Sequence, residues 1–418
     1  MPKNRTITFW GGFFLIFFIL KFYCPIFLEP FLLFFNGKKY CLIMTLLPLF
    51  FIKGHLKNQK FLLKKQIVIY LSLAVLNIFT CYYFRGQPIW VSYWMWIPFF
   101  LILYYPVFLT WNWNIQKWEK IIECLYYIFL VCFILQFLFR NTYQLFVLDT
   151  QFEFLEFESR VRIYSDAILY LGSFYSLCKY LSFAKSKYLS LFIIGSVCVF
   201  LQGFRMLILC YVIISGLMFV RVKKISLKSI FVVSLFVLGI GVALQTDIAK
   251  DKVEEITSRN ERAQFDDDSY VRVMLTNYYY TSHFNSNLEL ILGSGIPHIN
   301  SVEPGAAESS YSRECSYNAV DYHYFPADMG LLGLSWNAGI PFTICFILFL
   351  ISIARVKIPH QEYLYIGAWE LFLVMIGLTN ELSYNHSNIL YQAIVLTIVT
   401  LAVRKDQPNL DKKKYRII

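Results

Sequence analysis

The sequence predicts an all-helical, polytopic integral membrane protein with about twelve transmembrane helices and one large external loop. Of its 418 residues, 58% are hydrophobic and only 16% are charged, whereas a soluble domain carries about 25% charged residues. Apolar stretches of roughly 17–25 residues recur, which is the length that crosses a bilayer as a helix. Because backbone polar groups cannot be left unpaired in lipid, these stretches are predicted to be helices and not strands.

The distribution of basic residues predicts which segments are cytoplasmic. The net charge of +11 is spread over alternate segments between the apolar stretches, and this alternation is the positive-inside pattern. We therefore expect solvated cytoplasmic cations, both termini in the cytoplasm and no nucleic-acid partner. The basic segments contain Lys3 and Arg5; Lys53, Lys57, Lys60, Lys64 and Lys65; Lys117 and Lys120; Lys179, Lys185 and Lys187; Arg221, Lys223, Lys224 and Lys228; Arg355 and Lys357; and Arg404, Lys405, Lys412, Lys413, Lys414 and Arg416.

Placing the basic segments inside gives a single membrane domain, residues 1–418. The second and seventh spans are short, and the turn at Gln202-Gly203 leaves a re-entrant hairpin open as an alternative. The apolar run from Ile7 to Leu20 is followed by no small-residue cleavage site, which predicts a retained signal anchor. The predicted spans are 7–28, 38–52, 66–84, 88–108, 121–139, 164–182, 188–202, 205–220, 229–245, 329–353, 362–380 and 388–403.

The long polar interval 246–328, between the ninth and tenth spans, is predicted to be the external loop and the working part of the protein. Apolar residues recur at helical spacing from Tyr270 to Phe284, which predicts a loop helix with Arg272 on its first turn. Asp266-Asp267-Asp268 predicts a helix start, with a metal site as the alternative. Leu292-Gly293-Ser294-Gly295 predicts a tight turn where the backbone approaches another group closely. It lacks the strand and lysine of a nucleotide-binding fingerprint.

Ionisable residues at the predicted external face are the candidate functional groups. Arg205 lies in an otherwise apolar run, where its cost favours a functional role; the alternative is an interfacial anchor. His323 precedes the tenth span and could accept a proton near neutral pH, unless it belongs to an aromatic belt. His386 is interpreted as a residue of the loop between the last two spans, and the alternative is that it faces the same cavity as His323. The ten cysteines include no C-x-x-C spacing and no disulfide framework.

The order of these motifs resembles the O-antigen polymerase and O-antigen ligase superfamily, the Wzy-type membrane glycosyltransferases of GT-C-like architecture. The motifs that carry the resemblance are two arginines in the segment Ser159 to Asp166, Arg205 opening a span after Gly203, Arg272 followed by Leu292 to Gly295, and His323 with Asp328 before Gly330 and Gly333. The likeness covers nearly the whole chain in layout, and it implies a multi-pass protein of the bacterial inner membrane with a periplasmic loop.

The resemblance also implies a reaction. The donor would be a glycan on undecaprenyl diphosphate, the acceptor a hydroxyl of another lipid-linked repeat unit, and the transfer would invert the anomeric carbon without metal or cofactor. A chain-length regulator in the membrane would be a further partner, beside membrane lipid. The implied diphosphate-binding residues are Arg160, Arg162, Arg205 and Arg272. The implied catalytic acceptors of the hydroxyl proton are His323, Asp321 and Asp328. The implied glycan-binding residues are Tyr278, Tyr279, Tyr322 and Tyr324, for which packing in a core is the alternative.

Four other classes predict different features. A polysaccharide O-acyltransferase would need a catalytic histidine early in the chain on or near a span, whereas His55 lies in a Lys-rich cytoplasmic segment. An O-antigen ligase would use lipid A core as the acceptor, which the sequence does not reveal. A lipid-linked oligosaccharide flippase should carry charged residues inside its spans and no external loop of this length. A secondary transporter should show paired halves with broken helices in matching positions, and none is visible.

Overall fold

The computed structural model describes residues 7–23, 25–28, 47–48, 61–139, 142–146, 163, 165–222, 271–296, 326–358 and 360–406. Within these ranges the chain is helical and forms no strand, and an isolated bridge joins Pro25 to Phe146. The α-helices are α1 (Phe9–Ile19), α2 (Lys64–Arg85), α3 (Ile89–Phe100), α4 (Tyr104–Leu109), α5 (Ile115–Leu138), α6 (Ala167–Phe183), α7 (Ser186–Gln202), α8 (Arg205–Val222), α9 (Val271–Tyr278), α10 (Asn287–Leu292), α11 (Leu331–Ala338), α12 (Ile340–Ala354), α13 (Leu364–Gly377) and α14 (His386–Asp406).

Several of these helices are long and apolar enough to cross a membrane. Among the described residues four meet that description: Lys64–Arg85, Ile89–Leu109, Ile115–Leu138 and His386–Arg404. Helices α1, α7 and α12 are apolar but shorter. The all-helical class is therefore confirmed, and the four longer helices have the length and composition that a membrane span requires. The predicted span 229–245 and all but two residues of 38–52 lie outside the described ranges, and the total of twelve spans stays a prediction.

Two predicted spans are interrupted in the structure. The first, 7–28, ends as α-helix at Ile19, because residues 21–23 adopt left-handed φ angles of 53°, 53° and 61°. The tenth, 329–353, is broken at Gly339, where φ is 85°. A Cβ at Gly339 would lie 2.4 Å from the Leu292 carbonyl oxygen. The break therefore makes room for the backbone of the loop.

Helix α14 lies at the centre of the bundle and α2 at its edge. Within their apolar windows 83% of the α14 residues are buried, against 33% for α2. A helix that is apolar all round must be surrounded by protein or lipid, and α14 packs against α3, α4, α5 and α6. The core is rich in aromatic pairs, such as Trp111 stacked on Trp118 with ring centroids 5.5 Å apart.

One end of the bundle is joined by ion pairs. The Lys179 ammonium lies 2.8 Å from Glu119 Oε1 and 3.5 Å from Glu362 Oε2, and its side chain is only 5% exposed. Lys187 pairs with Glu123 at 2.9 Å but stays half exposed. The prediction of solvated cations is therefore wrong for Lys179, which is buried because two carboxylates from distant parts of the chain neutralise it.

Candidate functional site at the loop end of the bundle

The predicted loop helix packs against the apolar helices of the bundle. Helix α9 continues directly into a π-helical turn, Tyr279–His283, so the helical segment 271–283 agrees with the predicted 270–284. The Tyr279 ring stacks on Trp336 of α11, with centroids 4.3 Å apart and planes at 12°. Leu275 is fully buried in the same small cluster. This packing sets the rotation of α9 about its own axis.

Arg272 lies on the first turn of α9 and reaches the end of α13. Its Nη2 atom is 3.5 Å from the Thr379 carbonyl oxygen, at the long limit of a hydrogen bond. The side chain is half-buried. A guanidinium carries five N–H donors, so this contact leaves donors that can bind an anion.

The two tyrosines predicted to bind glycan differ in accessibility. Tyr279 is 3% exposed, and its ring also approaches His283, with centroids 4.4 Å apart. Protein side chains therefore cover the Tyr279 ring, and its role in this structure is core packing. Tyr278 is half-buried, with its ring edge-on to Tyr279 at 5.5 Å. Tyr278 is therefore the more accessible of the two rings.

Arg85, at the end of α2, forms a buried ion pair with Glu289 of α10 that the sequence analysis did not predict. The side chains are 7% and 0% exposed, and Arg85 Nη2 also donates to the His283 carbonyl oxygen. Two signals could have indicated the pair. Arg85 ends an apolar span at the face where basic residues are rare, and Glu289 is the one acidic residue in the stretch 273–302.

The Leu292 to Gly295 turn has the close backbone approach that its glycines predict. Gly293 and Gly295 have φ angles of 83° and 91°. The Ser294 N–H donates to the Trp336 carbonyl oxygen at 3.0 Å, and the Gly295 N–H donates to that of Asn337 at 2.8 Å. A Cβ at Gly293 would lie 2.3 Å from a backbone nitrogen of the broken span. The turn is therefore a backbone docking element.

The second glycine pair also serves packing. Gly330 has a φ of 56°, and a Cβ there would lie 2.1 Å from the Gly377 carbonyl oxygen at the end of α13. A Cβ at Gly333 would lie 1.8 Å from the Pro326 carbonyl oxygen. Tyr384 donates its hydroxyl proton to the Gly330 carbonyl oxygen at 3.2 Å. The Gly330 region is therefore seated on the segment that also receives Arg272.

Arg205 lies at the same end of the bundle as Arg272. It is exposed and begins α8, which packs against α13. Tyr170 shows that Gln202 of α7 and Phe372 of α13 lie at the same height along the bundle. Its hydroxyl donates to Gln202 Oε1 at 2.6 Å, and its ring stacks on Phe372 with centroids 4.8 Å apart. Arg205 follows Gln202 by three residues, and Thr379, which contacts Arg272, follows Phe372 by seven. Both arginines therefore belong to the end where α7 and α13 finish.

Further ionisable groups lie buried or half-buried inside the described part of the bundle. Asp166 and Glu370 are fully buried, and Glu370 lies beside the Gln392 side chain. His386 is the first residue of α14, not part of a loop as predicted, and it lies within electrostatic range of Lys21. The signal for Glu370 is simple, because a glutamate inside an apolar span is costly and favours function.

The remaining candidates cannot be placed against this framework. Asp328 lies on the short 3-10 helix Pro326–Met329. The structure describes the backbone of Asp328 but not its side chain. Outside the described residues lie Arg160, Arg162, Asp321, Tyr322, His323 and Tyr324, together with the Asp266 to Asp268 run. Among the side chains that the structure does describe, no three His, Cys, Asp or Glu groups come together as a metal site would require.

Comparisons with known proteins give no match for this chain among family models, curated proteins or solved structures. The resemblance to the polymerase and ligase superfamily therefore depends on the order of the sequence motifs. What the structure adds is local: an arginine-bearing loop helix packed on the ends of apolar helices.

Proposed function

We propose that this protein is an O-antigen-type polysaccharide polymerase, a membrane glycosyltransferase that joins lipid-linked repeat units at the external face of the bacterial inner membrane. The observation that carries the proposal is the docking of α9, which holds Arg272 against the end of α13. Arg205 lies at the same end of the bundle. The diphosphate of a polyprenyl donor sits at headgroup depth, which is where membrane helices end.

The chemistry requires a stabilised leaving group. The acceptor hydroxyl oxygen forms a bond to the anomeric carbon, and the bond from that carbon to the diphosphate oxygen breaks with its electron pair. Arginine is always protonated and makes bidentate, charge-assisted contacts to phosphate oxygens. A good donor aimed at developing charge is worth roughly 3–4 kcal/mol in the transition state. Arg205, Arg272 and the Arg160–Arg162 segment are the proposed donors, so the mechanism calls for no metal.

The hydroxyl proton needs an acceptor close to the reacting oxygen. His323 is the first choice, with Asp321 and Asp328 as the others, since all three precede the glycine-packed start of α11. Of the aromatic residues, Tyr278, Tyr322 and Tyr324 keep the proposed sugar-stacking role, and Tyr279 serves packing.

Repeat-unit ladders on a surface-polysaccharide gel test the proposal. A deletion strain should keep single ligated units and lose the ladder, and the wild-type gene should restore it. Arg205→Ala and Arg272→Ala should each reduce polymer by about 10²-fold, because each removes one donor to the leaving group. Arg355→Ala is the matched control, since Arg355 is exposed and follows α12 at the opposite end. Membrane levels must be equal in all strains.

Wild-type ladders in both arginine variants would overturn the diphosphate assignment and make these residues interfacial anchors. A deletion that loses every ligated unit would instead favour a ligase or a flippase. One observation favours the flippase as the second candidate: Glu370 is fully buried within a predicted span, and intramembrane carboxylates often mark transport pathways. Lipid-linked units would then accumulate on the cytoplasmic leaflet, whereas loss of a ligase would leave them on the external leaflet.

A further inference from the structure

The buried pair of Arg85 and Glu289 grips one short segment of the loop. Arg85 Nε pairs with Glu289 Oε1, and Arg85 Nη2 donates to the His283 carbonyl oxygen. The other Glu289 oxygen accepts the Asn285 N–H at 2.9 Å. These contacts fasten residues 283–289 to the last residue of α2, in a place where neither charge meets water.

The gripped segment is the end of the helix that carries Arg272. Helical backbone runs from Val271 to His283 without a break, and it stops at Phe284, where the backbone becomes extended. Arg272 lies 11 residues before His283, or roughly 16 Å along a helix that rises about 1.5 Å per residue. A rigid rod fixed at His283 therefore determines where Arg272 is placed.

The rod has other contacts: Leu275 and Tyr279 pack in a small cluster with Trp336, and His283 Nε2 lies 2.9 Å from Ser294 Oγ. Tyr279 on Trp336 sets the rotation about the axis, and the Arg272 contact to Thr379 is long, at 3.5 Å. A long contact through one flexible side chain does not hold a helix in place. The ion pair is the strong anchor, since a buried charge that loses its partner is costly.

Arg85 itself is not available as another diphosphate ligand, because Glu289 neutralises it within the protein. We infer that Arg85 and Glu289 are positioning residues, which hold the loop helix so that Arg272 meets the end of α13. The inference rests on the proposed function in one respect, which is that Arg272 binds the diphosphate. The placement of the helix is a separate statement with its own measurement.

A distance measurement tests the placement. Nitroxide labels on ketone-bearing unnatural amino acids at Asn277, on the exposed side of α9, and at Leu378, beside Thr379, avoid the native cysteines. The full-length protein in lipid nanodiscs should give one narrow distance. The double variant Arg85→Gln/Glu289→Gln removes both charges, leaves no buried charge unpaired, and should broaden or shift that distance. Lys187→Gln is the control, because it breaks an ion pair at the opposite end.

The activity of the same variants separates the two proposals. With Arg272 displaced, polymer formation should fall by roughly 10²-fold, the size of effect that an ångström-scale misplacement can cause. Arg85→Lys keeps the charge but lacks the fork that reaches two acceptors, so it should restore the distance and the ladder only in part.

An unchanged distance in the folded, monodisperse double variant would overturn the inference, whatever the ladder shows. A shifted distance with a wild-type ladder would leave the positioning role standing and remove Arg272 from the proposed mechanism. Should the double variant fail to fold, Glu289→Gln alone is nearly isosteric and is measured in its place. An unchanged distance there would overturn the inference equally.

Discussion

Tyr279 and Tyr280 are neighbours on the loop helix with opposite environments. Tyr279 is stacked on Trp336 and 3% exposed, while Tyr280 is 53% exposed. Tyr279→Ala should lower the free energy of unfolding by about 3–5 kcal/mol, the usual cost of deleting a buried aromatic ring. Tyr280→Ala removes only an edge-on contact to Trp336 at 6.0 Å and should lower it by about 0.5–1.5 kcal/mol. Denaturant titration of the detergent-solubilised protein, followed by intrinsic fluorescence, compares the two.

Equal stability of the two alanine variants, combined with a weaker ladder for Tyr279→Ala alone, would contradict the packing role. Tyr279 would then return to the set of sugar contacts that the sequence suggested. Tyr279→Phe provides the internal control, because it keeps the ring stack on Trp336 and should retain most of the stability that Tyr279→Ala loses.

At the residue scale, the sequence predicts where the backbone needs a glycine, but it does not predict which charged side chains pair with one another. The glycines at 293 and 295 have the positive φ angles that a tight turn implies. In contrast, Lys179 was assigned to the solvated cytoplasmic cations, yet Glu119 and Glu362 bury it. The carboxylates are 60 and 183 residues away in sequence, and spacing along the chain carries no information about such pairs. The Arg85 pair escaped for the same reason.

Helix boundaries at the element scale followed from hydrophobic length. The apolar stretches predicted as the third and eighth spans, 66–84 and 205–220, are helices at 64–85 and 205–222. The breaks were harder to predict. Gly339 must lack a side chain because the Leu292 carbonyl oxygen lies only 2.4 Å from where a Cβ would be. Only the folded loop creates this contact, so the sequence does not reveal it. The left-handed residues 21–23 include neither glycine nor proline, so no local signal marks them.

The docked turn makes a graded prediction for glycine substitutions. Gly293→Ala combines a positive φ with a Cβ 2.3 Å from the Gly339 nitrogen, and should undock the loop and lower the yield of folded protein sharply. Gly86→Ala has a φ of 65° but open space, so it should cost only about 1–2 kcal/mol of backbone strain. Gly216→Ala lies in α8 with no close neighbour and should be neutral or stabilising by up to about 1 kcal/mol.

The denaturant midpoints of the three variants should decrease in the order Gly216→Ala, Gly86→Ala, Gly293→Ala. If Gly293→Ala were no worse than Gly86→Ala, close approach of the turn to the broken span would be wrong. The Arg272 contact would then lose one of its supports.

At the scale of the whole molecule, the two ends of the bundle are built differently. One end is joined by the Lys179 and Lys187 ion pairs directly between helices. At the other end a loop is docked through Arg85, backbone turns and an aromatic stack. The ion-paired end coincides with the basic segments that the positive-inside rule places in the cytoplasm. The loop end coincides with the interval predicted to be external, so the proposed site and the proposed donor share one side.

This sidedness gives the last prediction. Leu288→Cys, on the exposed face of α10, and Lys357→Cys, after α12, are introduced separately in a Cys315→Ser background. A membrane-impermeant maleimide should label Leu288→Cys in intact spheroplasts, because the loop is predicted to face outward. It should label Lys357→Cys only after the membrane is disrupted. The reverse result would place Arg205 and Arg272 on the cytoplasmic side, where no donor flipped to the external leaflet could reach them, and would overturn the polymerase proposal at its root.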